Sequence, residues 1–167
     1  MLAGDTAFIE RAAPWRRRFG ANPYTSFPYA LSCRSGFARW SDTFGARWHK
    51  LRGLAPLLRE VAAEEGGVLT FVPETPTCCQ SHVFLGEGFT LDALDAARDA
   101  VDAEHGRRVY ERLRSADDPL CLSRPVDATS TPFYFEWSLG PAHVEVDDSV
   151  FVDAWRAFFV TLRSGRE

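Results

Sequence analysis

The sequence has 167 residues, of which 46% are hydrophobic and 25% are charged, a balance typical of a globular domain with a sizeable core. Its formal net charge is −4, which favours neither a nucleic-acid surface nor an anionic membrane as a partner. No apolar run approaches the length of a membrane span. Lys50 is the single lysine among 19 basic residues, so any reaction that needs a lysine amine has one candidate in the chain.

The cysteines do not follow the spacing of a disulfide scaffold. Cys33, Cys78, Cys79 and Cys121 are far apart or adjacent, and no secretory signal precedes them. We therefore expect reduced cysteines and a cytoplasmic protein. In a strand, Cys78 and Cys79 point to opposite faces, so they and His82 do not predict a metal site.

The N-terminal part of the sequence predicts helices. Asp5 or Thr6 caps a first helix, which stops near Gly20. A second helix starts near Ser26, and a third runs from about residue 42 to residue 66, each with apolar side chains at helical spacing. Residues 1–22 and 23–66 are accordingly expected to form a first segment and a set of connecting helices.

Residues 67–167 change character and predict a small α+β domain with helices on one face of a mostly antiparallel sheet. A helix is predicted from Thr90 to Gly106, and another from Asp147 or Asp148 onwards. The predicted strands are Val68–Val72, Cys78–Leu85, Val109–Leu113, Leu120–Ser123 and Phe133–Leu139.

The strand Phe133–Leu139 alternates cleanly, which places its aromatic residues on one face. We expect that face to pack under the final helix, because only a short connection separates the two elements. Glu136 lies on the opposite face, and we expect it to be exposed or paired with Arg112 or Arg124.

Arg16, Arg17 and Arg18 form the densest cluster of positive charge in the sequence. One interpretation is a solvated helix end, where arginine stabilises the helix dipole. The other is a phosphate-binding site, since guanidinium groups bind phosphate oxygens through paired hydrogen bonds. The residues alone leave both open.

The N-terminal segment reads "MLAG", then "TAFIERA", then "WRR". In order and spacing this resembles part of the threonine aldolase / β-eliminating lyase family, in the region that follows the family's Schiff-base lysine. The resemblance continues more loosely at Tyr29–Leu31, at 42–63, at Phe135–Gly140 and in the helix Phe151–Phe159.

This resemblance implies a fold-type-I enzyme dependent on pyridoxal 5′-phosphate (PLP), with 67–167 as its small C-terminal domain and 1–22 as a remnant of its large domain. It implies an amino-acid substrate, a homo-oligomer and no metal. The catalytic lysine is expected upstream of Met1, so no catalytic residue is assigned in this chain. Arg16–Arg18 are the candidates for the cofactor phosphate, and Arg112 and Arg124 those for the substrate carboxylate.

Two hypotheses about function follow. The chain is the C-terminal portion of a PLP-dependent lyase of amino-acid metabolism, which performs aldol cleavage of β-hydroxy-α-amino acids or β-elimination. Alternatively, it is a non-catalytic, stand-alone small domain that binds a partner or a small ligand.

Overall fold

The computed structural model describes residues 5–18, 23–86, 88–117, 121 and 132–165, with side chains described from 5–15 and from 27 onwards within those ranges. It separates into two units, Met1–Asp42 (unit 1) and Thr43–Glu167 (unit 2). The division falls inside a helix that spans both units.

Helices make up the described part of unit 1. Helix α1 covers Thr6–Arg18, and helix α2 runs without interruption from Pro23 to Glu64. The Asp5 carboxylate accepts a hydrogen bond from the Phe8 backbone N–H at 2.8 Å, which confirms Asp5 as the cap of α1.

The predicted break between a second and a third helix is wrong, because α2 continues through Ser41 and Asp42. These two residue types favour helix caps, yet each costs at most about 0.7 kcal/mol in a helix interior. A break there would instead leave several backbone N–H and C=O groups without helical partners. The continuous helix therefore has the lower free energy.

Unit 2 contains, after the end of α2, the elements β1 Thr70–Val72, β2 Gln80–Leu85, α3 Leu91–His105, β3 Arg114–Ser115, β4 Phe133–Ser138, a 3₁₀ turn Pro141–His143 and α4 Asp148–Ser164. The strands form a four-stranded antiparallel sheet in the order β1-β2-β4-β3. In register, Val83 of β2 is opposite Phe135 of β4, and His82 is opposite Glu136. The mixed helical and antiparallel architecture confirms the α+β class.

Both ends of α3 and the start of α4 lie where the sequence predicts them. The Thr90 side chain caps α3, and Gly106 ends it in the left-handed conformation with φ of 62°. The Asp147 carboxylate caps α4 by accepting a hydrogen bond from the Ser149 backbone N–H at 2.8 Å. Local side-chain and backbone chemistry therefore fixes these three helix ends.

The prediction of a strand at Val109–Leu113 is wrong, since the strand in this region is Arg114–Ser115. Val109, Tyr110 and Leu113 are nevertheless buried, because they pack into the core from irregular backbone. The predicted strand Leu120–Ser123 lies outside the described residues, apart from Cys121.

One main core lies between the helices and a single face of the sheet. Leu51 and Leu58 of α2 are fully buried in it, together with Phe158 of α4. The Phe135 ring stacks on Trp155 with centroids 5.9 Å apart, which confirms that β4 packs under the final helix. The opposite sheet face carries a smaller cluster of Phe84, Ala116 and Tyr134.

Within the described parts of the chain, none of the helices combines the length and the apolar character needed to cross a membrane.

Candidate functional site

Lys50 lies on α2 and holds it against the start of α4. Its ammonium forms an ion pair with Asp148 and donates a hydrogen bond to the Val146 carbonyl oxygen. It also lies 5.7 Å from the centroid of the Phe151 ring, and its side chain is 15% exposed. These contacts occupy the amine, so Lys50 acts as a structural cation between two helices.

A pocket of about 250 Å³ lies beside the first turns of α4. Aromatic rings form much of its wall, and Val109 and Ala154 contribute buried aliphatic surface. No acidic residue lines it in the part of the chain that the structure describes. The lining residues are Arg107, Arg108, Val109, Trp137, His143, Val146, Val150, Phe151, Ala154 and Trp155.

The two arginines of the pocket differ in how they are bound. Arg108 donates to the Asp102 carboxylate at 2.7 and 2.9 Å and to Glu111 at 3.3 Å. Its hydrogen bond to Asp102 is the main cause that holds the pKa of Arg108 above the ordinary value. Arg107 is exposed and has no hydrogen-bond or ion-pair partner among the described residues. Arg107 is therefore the available cation of the pair.

The tautomer of His143 is determined by a local hydrogen bond. The Gly140 backbone N–H donates to Nδ1 of His143 at 2.8 Å, so in the neutral ring the proton sits on Nε2. The ring packs edge-on against Phe151 with centroids 6.2 Å apart. The Nε2–H group is left as a hydrogen-bond donor at the lining of the pocket.

Tyr110, next in sequence to the lining residue Val109, is a core residue. Its ring packs against Phe135 and Phe158, and the Arg98 guanidinium lies 5.4 Å from the ring centroid. Burial is the main cause that raises the pKa of the Tyr110 phenol well above its usual range. The phenol is therefore neutral across the physiological range.

A second polar group surrounds Glu136 on the outer face of the sheet. Its carboxylate accepts from Arg114 at 3.4 Å and from the Gln80 amide at 3.4 Å, and His82 Nε2 lies 3.8 Å away. The Glu136 side chain is 41% exposed, as expected for this face. The predicted partner Arg112 is corrected to Arg114, because β3 begins at Arg114 and pairs with β4 there.

The other candidate residues are not brought together by the described structure. Arg16, Arg17 and Arg18 end α1, and their side chains lie outside the described residues, as does Arg124 altogether. Arg112 is exposed on the segment before β3. Within the described ranges, no three His, Cys, Asp or Glu side chains are close enough to hold a metal ion.

The cysteines are free thiols with different exposures. Cys33 is exposed on α2, and Cys79 is buried directly before β2. Cys78 and Cys121 are partly buried, and the Cys78 thiol donates to the Gln80 carbonyl oxygen at 3.2 Å.

The described residues do not fit a PLP site by themselves. The cofactor needs a lysine amine free to form an imine, and Lys50 is bound to Asp148 and Val146. The pocket near α4 has cations but no lysine in its lining. Any covalent PLP site would need residues other than these.

Sequence reasoning missed the pocket near α4. Two signals in the sequence bear on it: Arg107 and Arg108 follow the helix stop Gly106, and His143 follows the Gly140-Pro141 turn. Each is an ordinary loop feature by itself, and only the packing of α4 against the sheet joins them. No family model, curated protein or solved structure matches the chain.

Proposed function

We propose that the chain is the C-terminal portion of a PLP-dependent lyase of amino-acid metabolism, with residues 67–167 as the small domain of a fold-type-I enzyme. The observation that carries the proposal is the motif order "MLAG", "TAFIERA" and "WRR" ahead of an α+β unit. The reaction class is aldol cleavage of β-hydroxy-α-amino acids or β-elimination.

The surface of unit 1 supports this proposal. Its helices expose large apolar side chains that a further domain or a second subunit would cover: Phe8, Ile9, Trp15, Phe27, Tyr29, Leu31, Phe37 and Trp40. Exposed apolar surface of this extent is typical of an interaction site. In the proposed enzyme, the large domain and the other subunit of a homo-oligomer cover it.

The engagement of Lys50 is consistent with a catalytic lysine that lies upstream of Met1. PLP supplies an electron sink once it is bound through such a lysine. The residues described here would close over the substrate rather than carry the cofactor.

The test begins with the coding DNA upstream of Met1. An in-frame segment with a Lys-Gly pair is expected there, and the extended protein is then expressed, reduced with borohydride and mapped by mass spectrometry. We expect the PLP label on the upstream lysine and none on Lys50, and a Lys50→Arg variant should keep the label. A label on Lys50, or no label on the extended protein, would contradict the proposal.

The same extended protein distinguishes the two reactions. Release of glycine and an aldehyde from a β-hydroxy-α-amino acid indicates aldol cleavage, whereas release of ammonia and a 2-oxo acid indicates β-elimination. Residues 1–167 alone, mixed with PLP, should show no stable absorbance band of an internal aldimine. A band that disappears in Lys50→Ala would show that the chain carries its own cofactor site.

The alternative is a non-catalytic domain that binds a small ligand. It is favoured by one observation: the pocket near α4 is lined entirely by residues of unit 2. Ligand binding by residues 1–167 without any PLP chemistry in the extended protein would favour this alternative.

A further inference from the structure

We propose that the pocket near α4 binds small monocarboxylates that carry an apolar ring, with Arg107 as the residue that holds the carboxylate. Every residue in the argument belongs to unit 2, so the inference does not depend on the lyase proposal. It gives the alternative function a ligand class.

The walls of the pocket favour a ligand whose main part is apolar. Seven of its ten lining residues are apolar, and the Trp137 and Phe151 rings pack edge-on with centroids 6.1 Å apart. Trp137 and Phe151 are only partly buried, while Trp155 beside them is 2% exposed. The pocket therefore offers aromatic surface that a planar ring of a ligand can cover, and the buried Trp155 side chain forms its floor.

The charge at the pocket selects an anion. The three polar lining residues are two arginines and a histidine, and no described lining residue is acidic. A carboxylate would therefore meet donors and positive charge with no like charge in the lining. An ammonium group would instead be repelled by the positive charge of the two arginines.

Arg107 is the residue that binds the carboxylate of the ligand, because the neighbouring Arg108 already pairs with two carboxylates of the protein. Arg108 is held by Asp102 and Glu111, and its charge is largely balanced by theirs. Arg107 has no such partner among the described residues, so all the hydrogen bonds of its guanidinium remain for a ligand.

His143 adds a second donor. Because Nδ1 is occupied by the Gly140 N–H, the proton of the neutral ring is on Nε2, and the ring offers a donor rather than an acceptor. The 3₁₀ turn Pro141–His143 fixes the ring beside Phe151. This arrangement suits a ligand that accepts hydrogen bonds and has no proton to give.

The volume limits the ligand to a single ring with a short chain. A pocket of about 250 Å³ is slightly smaller than most ligand sites, which usually range from about 300 to 1,000 Å³. A ligand of this size is expected to bind with a dissociation constant on the order of 1 mM.

The experiment titrates residues 1–167 with four matched compounds and follows the indole N–H signals by ¹H–¹⁵N NMR. The compounds are 3-phenylpropionate, its alcohol 3-phenyl-1-propanol, its amine 3-phenylpropylamine, and acetate. We expect 3-phenylpropionate to shift the Trp137 and Trp155 signals while Trp15 stays constant. The alcohol and the amine should bind at least tenfold more weakly, and acetate should cause no shift.

Two arginine variants form a matched pair. Arg107→Gln should weaken 3-phenylpropionate binding about tenfold, equivalent to about 1.4 kcal/mol. Arg108→Gln should weaken it by less than about threefold, since that side chain is bound elsewhere. Val150→Phe should abolish binding by filling the pocket, and unchanged amide spectra away from α4 would show that each variant is folded.

Each outcome decides the proposal. Binding of the acid with the predicted order of the compounds and variants supports it. Absence of any shift at Trp137 and Trp155, or equal binding of the acid and the alcohol, would overturn it. Equal loss in Arg107→Gln and Arg108→Gln would overturn the assignment of Arg107. The borohydride test of the extended protein reports on the lyase proposal separately.

Discussion

Replacement of Trp155 by alanine is expected to unfold most of unit 2 under mild denaturing conditions. The side chain is 2% exposed, and its ring lies 5.9 Å from Phe135, 5.4 Å from Phe158 and 5.9 Å from Phe159 between centroids. It therefore joins β4 to α4 and is surrounded by rings that cannot collapse into the space it leaves.

The magnitude follows from the cavity. Truncation of a buried tryptophan or phenylalanine typically costs about 3–5 kcal/mol, and the loss of ring pairs places Trp155→Ala in the upper part of that range. A domain of this size is stable by about 5–15 kcal/mol, so the variant loses roughly a third or more of its stability. With a urea m-value of about 1–3 kcal/mol/M, the midpoint should fall by about 2 M.

The assay is equilibrium urea unfolding followed by far-ultraviolet circular dichroism. Trp15→Ala is the matched control, because Trp15 belongs to unit 1 and is 54% exposed; its effect on unit 2 should stay within about 0.5 kcal/mol. A change below about 1 kcal/mol for Trp155→Ala, at an unchanged m-value, would refute the packing of α4 on β4.

Three other predictions concern single features. Gly67→Ala should destabilise unit 2 by about 1–3 kcal/mol, because a Cβ there would lie 2.4 Å from Cε1 of the buried Phe159 ring. Gly53→Ala, at an exposed position of α2 with nothing within 4 Å, should stabilise the helix by about 0.5–1 kcal/mol. In urea titrations the two variants should move in opposite directions. The hydrogen bond from Ser149 lowers the pKa of Asp147 below its ordinary value, so its stabilisation is present above about pH 4 and is lost as the pH falls through the lowered pKa. Asp147→Ala should lower the Tm at pH 7, and the difference from wild type should become smaller as the pH falls through the lowered pKa of Asp147; a constant difference would argue against the cap. The purified chain should bind a hydrophobic dye or self-associate through unit 1, and a monodisperse monomer without dye binding in light scattering would count against this.

Local signals in the sequence were sufficient for both ends of α3 and for the start of α4. Thr90, Gly106 and Asp147 act through their own side chains or backbone conformation, so their effect can be inferred without the rest of the fold. The alternation of Phe133–Ser138 likewise determined which face of β4 enters the main core. The α+β class follows from these elements.

Tertiary structure decided what the local pattern left open. Val109 and Leu113 are apolar residues of the kind typical of a strand. They are buried because they pack on the core, and the sheet pairing starts only at Arg114. The pairing of β3 with β4 starts only at Arg114, opposite Tyr134, so Arg112 lies outside the strand and Arg114 reaches Glu136 diagonally across β4.

The candidate site shows the same division. The sequence alone determined that Lys50 is the only lysine, and so limited the chemistry that the chain can perform. Its engagement by Asp148 and Val146, 96 or more residues away, depends on how α2 packs against α4. Arg107 and His143 line one pocket for the same reason. These residues are far apart in the sequence, and no helix or strand periodicity relates their positions. Only the tertiary structure therefore determines that they form one site.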